Sequence, residues 1–144
     1  MRYDPEELTE NDVLRALTAH LRDGGWVVER SATTAERGLD LVARGPAGWV
    51  LRVEAKGATS SKTHSARHGK PFNSAQVRNH VARAFFTAAA SRQGNCVRSA
   101  MALPATPRHQ ALVEHVKVAL GELDIGVFWV GGDDLVRLDA TWEL

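Results

Sequence analysis

Apolar residues recur near the start of the chain at the period of a helix. Val13, Leu14, Leu17 and Leu21 share one face, so a helix is predicted from about Pro5 to Asp23. Gly24-Gly25 ends it. Trp26-Val27-Val28 then starts a short strand, and Leu39 to Ala43 makes a second. Gly45-Pro46-Ala47-Gly48 reads as a turn, and Trp49 to Ala55 as a third strand. So short a connection favours an antiparallel hairpin of the second and third strands.

Gly57 to Phe72 is polar and basic, with two glycines and a proline, and is predicted to be a long loop of the kind that often carries function. Asn73 or Ser74 caps a second helix that runs to about Ser91, with Val77, Val81, Ala84, Phe85 and Ala88 on its apolar side. Val97 to Leu103 is a fourth strand. Thr106-Pro107 is an N-cap followed by proline at the first helical position, and opens a third helix with Leu112, Val116 and Leu120 on one face. Ile125 to Val130 is a fifth strand and Leu135 to Leu138 a sixth. The order is αβββαβαββ, an α/β chain. Strands such as Ile125-Gly126-Val127-Phe128-Trp129-Val130 are apolar on both faces, which predicts a three-layer αβα arrangement with the sheet covered on both sides.

The 144 residues are expected to form a single domain, 1–144. No apolar run reaches the roughly 18–20 residues of a membrane span, and the acidic, polar N-terminus lacks the order of a signal peptide, so a cytoplasmic location is expected. Cys96 is the single cysteine; it lies in an apolar stretch and is expected to be a buried structural thiol. The four tryptophans, in or near strands, are expected in the core.

Charge adds something the pattern does not show. Net charge is +1, yet the 59 residues between Glu54 and Glu114 hold nine Lys and Arg and no Asp or Glu. A positive face of this kind attracts polyanions, of which phosphate backbones are the usual case. The alternative is a solvated surface neutralised by the two acidic ends of the chain.

Three residues suggest chemistry. Asp40 is set in an otherwise apolar strand, where an unpaired carboxylate is costly. Glu54 and Lys56 alternate with Val53 and Ala55 at the end of the third strand, so they share a face. The hairpin brings residue 40 opposite about residue 53 to 55. Two carboxylates hold a hard cation such as Mg²⁺ through oxygen, and a lysine beside them stabilises charge on a phosphate. The bland readings are Asp40 paired with Arg37 or Arg52, and Glu54–Lys56 on a solvated edge.

Gly38-Leu39-Asp40, fourteen residues before Glu54-Ala55-Lys56, resembles the bipartite signature of the PD-(D/E)XK nuclease superfamily, with leucine where the motif's name has proline. The resemblance implies a restriction-endonuclease-like fold and a Mg²⁺- or Mn²⁺-dependent DNA endonuclease. It implies Asp40, Glu54 and the carbonyl of Ala55 as metal ligands and Lys56 as the catalytic lysine. Many members add a glutamate from the first helix; Glu10 is the candidate and Glu7 the runner-up. Some branches place a glutamine on the second helix with a tyrosine four residues on. Gln76 matches the first, and His80 stands in the tyrosine's place.

The loop cations Lys62, Arg67 and Lys70, with Arg78, His80 and Arg83 on the second helix, are candidates for contact with DNA, through phosphates that position rather than specify. His64 and His68 lack a third ligand and do not read as a zinc site; His109 sits in the first turn of a helix. One site cuts one strand, so a duplex break would call for a homodimer. A non-cutting nucleic-acid-binding module that keeps the fold, a subunit that needs a partner, and an interaction protein with a coincidental motif are the competing readings.

Overall fold

The computed structural model describes residues 4–31, 39–60 and 70–144. A 3₁₀ turn, Pro5–Glu7, precedes α1 (Glu10–Asp23). The expected first helix is therefore interrupted. Thr9 leaves helical geometry to cap α1, its hydroxyl accepting from the Asp12 N–H while the Asp12 carboxylate accepts from the Thr9 N–H. That reciprocal cap satisfies two amides that a continuous helix would have used internally.

β1 (Val27–Ser31), β2 (Leu41–Arg44) and β3 (Val50–Ala55) follow, then α2 (Ser74–Ser91) and β4 (Val97–Pro104). The expected third helix is two, α3 (Pro107–His115) and α4 (Lys117–Glu122), divided at Val116. β5 (Ile125–Val130) and β6 (Val136–Asp139) complete the chain. All six strands form one mixed sheet in sequence order. β1–β2–β3 are antiparallel, β3–β4–β5 parallel, and β5–β6 antiparallel. The two parallel crossovers step the same way across the sheet, so a common hand puts α2 and α3–α4 on the same face. α1 covers the other.

The alternation of the central strands divides the core accordingly. Ala100, Ala102, Phe128 and Val130 point to the α1 side, with Val13, Leu14, Leu17, Leu21, Leu51 and Val53. Met101, Leu103, Ile125, Val127 and Trp129 meet Val77, Val81, Ala84 and Ala88 of α2 and Val113 and Leu120 of α3–α4. Trp26, Trp129 and Trp142 are buried, as expected for core tryptophans, while Trp49 is half-buried with the Arg98 guanidinium 4.1 Å from its ring centroid. Cys96 is exposed, not buried: it ends the turn before β4 instead of belonging to the strand. Among the described residues no helix is long and apolar enough to cross a membrane.

Candidate active site

The turn that joins β2 to β3 is closed by Gly45 N–H to the Trp49 carbonyl at 2.8 Å, and Leu41 pairs with Val53. Continuing that register by one residue sets Asp40 across from Glu54. Asp40 is not inside the strand, as the sequence suggested, but at a bend just before it. The bend frees its carboxylate to reach over the hairpin, where Oδ2 accepts the Ala55 N–H at 2.8 Å. Asp40 is 6% exposed and Glu54 8%. Arg52, a strand cation that could have neutralised Asp40, points instead to the carbonyl of Ser91 at the end of α2, at 3.4 Å. Arg37 lies outside the described residues.

Glu54 and Lys56 leave the same side of β3, and the Lys56 ammonium stands 3.8 Å from the Glu54 carboxylate. Glu54 also shares a hydrogen bond with Asp40. Burial first, then that hydrogen bond and the Asp40 charge, outweigh Lys56 and push the Glu54 carboxyl up to about 8.

Glu10 joins this group from α1. Its carboxyl is pushed up to about 7 by burial and by the charge of Asp40, against the pull of Lys56. Glu7, the other candidate, is exposed on the 3₁₀ turn. The close approach of α1 to β3 that brings Glu10 in depends on Gly57. A β-carbon there would lie 2.6 Å from the carbonyl carbon of Thr9 and against the Glu10 amide. The Ala58 N–H donates to the Leu8 carbonyl at 2.7 Å, and the Phe72 N–H to the Ala58 carbonyl at 2.8 Å, so both ends of the long loop are laced beside the site.

The remaining candidates are distributed unevenly. Gln76 is turned back on its own helix: its side-chain oxygen accepts the Asn73 N–H at 2.8 Å while Asn73 accepts the Gln76 N–H at 2.9 Å. It closes a capping box, and its place beside the carboxylates is not realised. His80 does face the site. Burial, then the neighbouring charges of Lys56 and Arg83, lower its pKa and keep the imidazole neutral. Arg78 and Arg83 are exposed on α2, and Lys70 is exposed at the loop's end. Lys62 and Arg67 lie outside the described residues.

One buried polar residue was not singled out from sequence. His109 is wholly buried, with Nδ1 2.5 Å from the Thr106 hydroxyl. Burial, then the charges of His80 and Arg108, lower its pKa to about 4. Thr106-Pro107 signalled that a helix begins there, but only the packing of α3 on α2 buries its third residue.

The donor set suits a hard cation. Asp40 and Glu54 offer carboxylate oxygens, with Glu10 nearby; burial first, and the neighbouring Asp40 after it, raise the carboxyls of Glu54 and Glu10 against the pull of Lys56. Among the described residues no group of three or more His, Cys, Asp or Glu side chains is placed to hold a metal ion, so any donors come from the Asp40–Glu54 pair. An ion of the Mg²⁺ type keeps several waters and takes only one or two carboxylates from the protein. No protein-family model matches the chain, and neither a curated protein nor a solved structure matches it significantly.

Proposed function

We propose that this protein is a metal-dependent nuclease of restriction-endonuclease-like fold, and that it hydrolyses phosphodiester bonds in DNA. The observation that carries the reading is the meeting of Asp40 and Glu54 at the end of the β2–β3 hairpin, with Lys56 on the same edge. Glu10 from α1 adds a third carboxylate.

Each residue then has a task its position supports. Asp40 is held by the Ala55 N–H, so one oxygen is fixed and the other is presented to a ligand. Glu54, across the hairpin, completes a pair of oxygen donors, with the carbonyl of Ala55 between them in sequence. A divalent cation bound there supplies a water of lowered pKa and positive charge for the phosphate. Lys56 places ammonium donors next to the same carboxylate, where they orient the attacking water and stabilise the extra charge on the phosphoryl oxygens. In the hydrolysis the water oxygen bonds to phosphorus, one P–O ester bond breaks, and the leaving oxygen takes a proton. Arg78 and Arg83, exposed on α2, and Lys70 at the loop's end suit phosphates flanking the scissile one.

The substrate is tested with supercoiled plasmid, single-stranded DNA and a branched junction, each with Mg²⁺ or Mn²⁺. Cleavage of at least one is expected, lost with a chelator. DNA binding without cleavage on all three would favour the non-cutting binder, and neither binding nor cleavage would favour the coincidental motif. A duplex break by a protein that stays monomeric on DNA in light scattering would count against the homodimer.

A further inference from the structure

The sheet has two outer strands, and they are finished differently. β1 is blunted. Its register slips between Val28 and Arg30, so a bulge interrupts it, and Glu29 is engaged by the Arg44 guanidinium at 2.7 Å. β6 runs against β5 without a bulge, from Val136 opposite Val130 to Asp139 opposite Val127. The turn before it is held by the Gly131 N–H, which donates to the Leu135 carbonyl at 3.0 Å, and by the Asp133 carboxylate, which accepts the Leu135 N–H at 3.1 Å. After β6 the chain is drawn away from the edge and across β5. The Thr141 hydroxyl donates to the Asp124 carboxylate at 2.8 Å and the Trp142 indole N–H to the Asp124 carbonyl at 2.8 Å, and the Trp142 ring lies over Gly126 of β5. Among the described residues no strand pairs with the outer side of β6. Its outward N–H and C=O groups are the kind that another strand can use.

The side chains of β6 say which strand fits. Val136, Leu138 and Ala140 turn to the α1 side, half-buried against that core, while Arg137 and Asp139 stand exposed on the other face. Neither Arg137 nor Asp139 has an ion-pair partner among the described residues. Two copies of one strand that pair antiparallel about a two-fold axis set one residue opposite itself. With Leu138 on the axis, Arg137 of each copy lies opposite Asp139 of the other, so two unlike pairs form on one face. On the other face Leu138 meets Leu138 and Val136 meets Ala140. With Arg137 or Asp139 on the axis, like charges oppose each other; with Val136 there, Arg137 meets Leu135. Only one centre within the strand is complementary on both faces, and opposite charges directly across antiparallel neighbours attract where like charges repel.

We propose that the outer edge of β6 is a homodimer interface, in which two copies of this chain pair antiparallel about Leu138 and the sheet of one continues into the sheet of the other. The occupant is a second copy because the strand is complementary to itself, in charge on one face and in apolar contact on the other. The strand has four residues, so the contact is short and the dimer forms weakly and reversibly with concentration. The inference goes beyond the nuclease reading and does not rest on it, for it uses no residue of the carboxylate site.

Sedimentation velocity of the full chain, over a concentration series reaching the submillimolar range, reads the association. The parent is expected to pass from monomer to dimer. Arg137→Asp sets acid against acid at both cross-strand pairs, and Asp139→Arg sets base against base, so each alone is expected to weaken the dimer at least about tenfold. Both changes in one chain restore the unlike pairs and should return the parent's dissociation constant. An equal mixture of the two single variants should form a heterodimer where neither forms a homodimer. Both side chains are exposed, so the fold should survive, and an unchanged Tm checks that it does. Amide exchange in β6 should slow with concentration in the parent and not in the single variants. A parent that is monomeric throughout would overturn the proposal and leave the edge to a strand of another protein or to solvent. A dimer indifferent to the single reversals, or one that they dissociate and the double reversal fails to restore, would overturn it as well.

Discussion

Two sets of titratable side chains, the carboxyls near Lys56 and the imidazoles of α2 and α3, respond to burial in opposite ways. Glu54 and Glu10 are carboxyls set near Asp40, and burial first, then the neighbouring Asp40, raises both so that they take up protons more readily. His80 and His109 are bases whose pKa values fall, so they shed protons and stay neutral. Both groups move toward neutrality, as a low-dielectric setting demands. The difference lies in what would relieve each. A cation relieves the carboxylates, and a hydrogen bond relieves the imidazoles. Under the proposed function the first group would receive an ion, whereas the second stays uncharged.

The comparison is broken most decisively at Asp40. Asp40→Asn keeps an acceptor for the Ala55 N–H but removes a charge, and is expected to reduce cleavage by at least about a thousandfold, the scale of losing an essential electrostatic group. The metal-free protein should be no less stable than the parent, because one repulsive charge has gone. A clear drop in Tm would mean that Asp40 is ion-paired rather than waiting for a cation.

Gly57→Ala should follow in size. Its β-carbon would collide with the backbone of Thr9 and Glu10, so α1 must move, at about 1–3 kcal/mol of stability as for other overpacked sites. Urea denaturation measures the loss, and cleavage should fall with it as Glu10 is displaced. Unchanged stability would show that the contact between α1 and β3 is looser than described.

The two groups also separate by pH. Glu54 and Glu10 have folded pKa values of about 8 and about 7 against an ordinary 4.5, so the metal-free fold binds protons that the unfolded chain releases. Their contribution is complete below about pH 4.5 and is lost as pH rises through 7 to 8. His109 works at the other end. Its folded pKa of about 4 lies below the ordinary 6.5, so its contribution is present above pH 6.5 and lost as pH falls toward 4. Metal-free Tm should therefore decline on the alkaline side, and Glu54→Gln should flatten that decline without touching the acid limb. Mg²⁺, which needs the deprotonated carboxylates, should raise Tm more at pH 8 than at pH 6. A decline that survives Glu54→Gln unchanged would assign it elsewhere.

The smallest effect is expected on the surface. Arg78→Ala and Arg83→Ala should each weaken DNA binding a few-fold and reduce the salt slope by about one unit if each meets a phosphate. An unchanged slope would remove that residue from the interface.

How far the sequence revealed these two groups follows from the kind of contact that makes each. The carboxylate pair was legible because a hairpin is local. The Gly45–Gly48 turn fixes the register, strand alternation fixes the faces, and together they place residue 40 against residue 54. That Asp40 stands at a bend, and that Glu10 rather than Glu7 turns in, depended on the Thr9–Asp12 cap and on the space left by Gly57. The imidazole pair was not legible. His109 stands third in a clearly signalled helix, but what buries it is the packing of α3 against α2, which no periodicity states. Gln76 shows the reverse error: a local signal, the capping box with Asn73, claims a side chain that a distant motif had suggested for the site. The succession of helices and strands along the chain was readable from alternation and punctuation, except where a break at Val116 or Leu8–Thr9 left the apolar period intact; the order of the strands within the sheet was not.

The central claim is that Asp40, Glu54 and Lys56 cut a phosphodiester backbone with the help of a divalent cation. Nicking of supercoiled plasmid in Mg²⁺ tests it most directly, run side by side for the parent, Asp40→Asn and Lys56→Ala, with DNA binding measured for all three. The account predicts nicking by the parent alone, abolished by a chelator, with binding retained in every protein. Cleavage by Asp40→Asn at the parent's rate, or none by the parent in Mg²⁺ or Mn²⁺ despite firm binding, would contradict it.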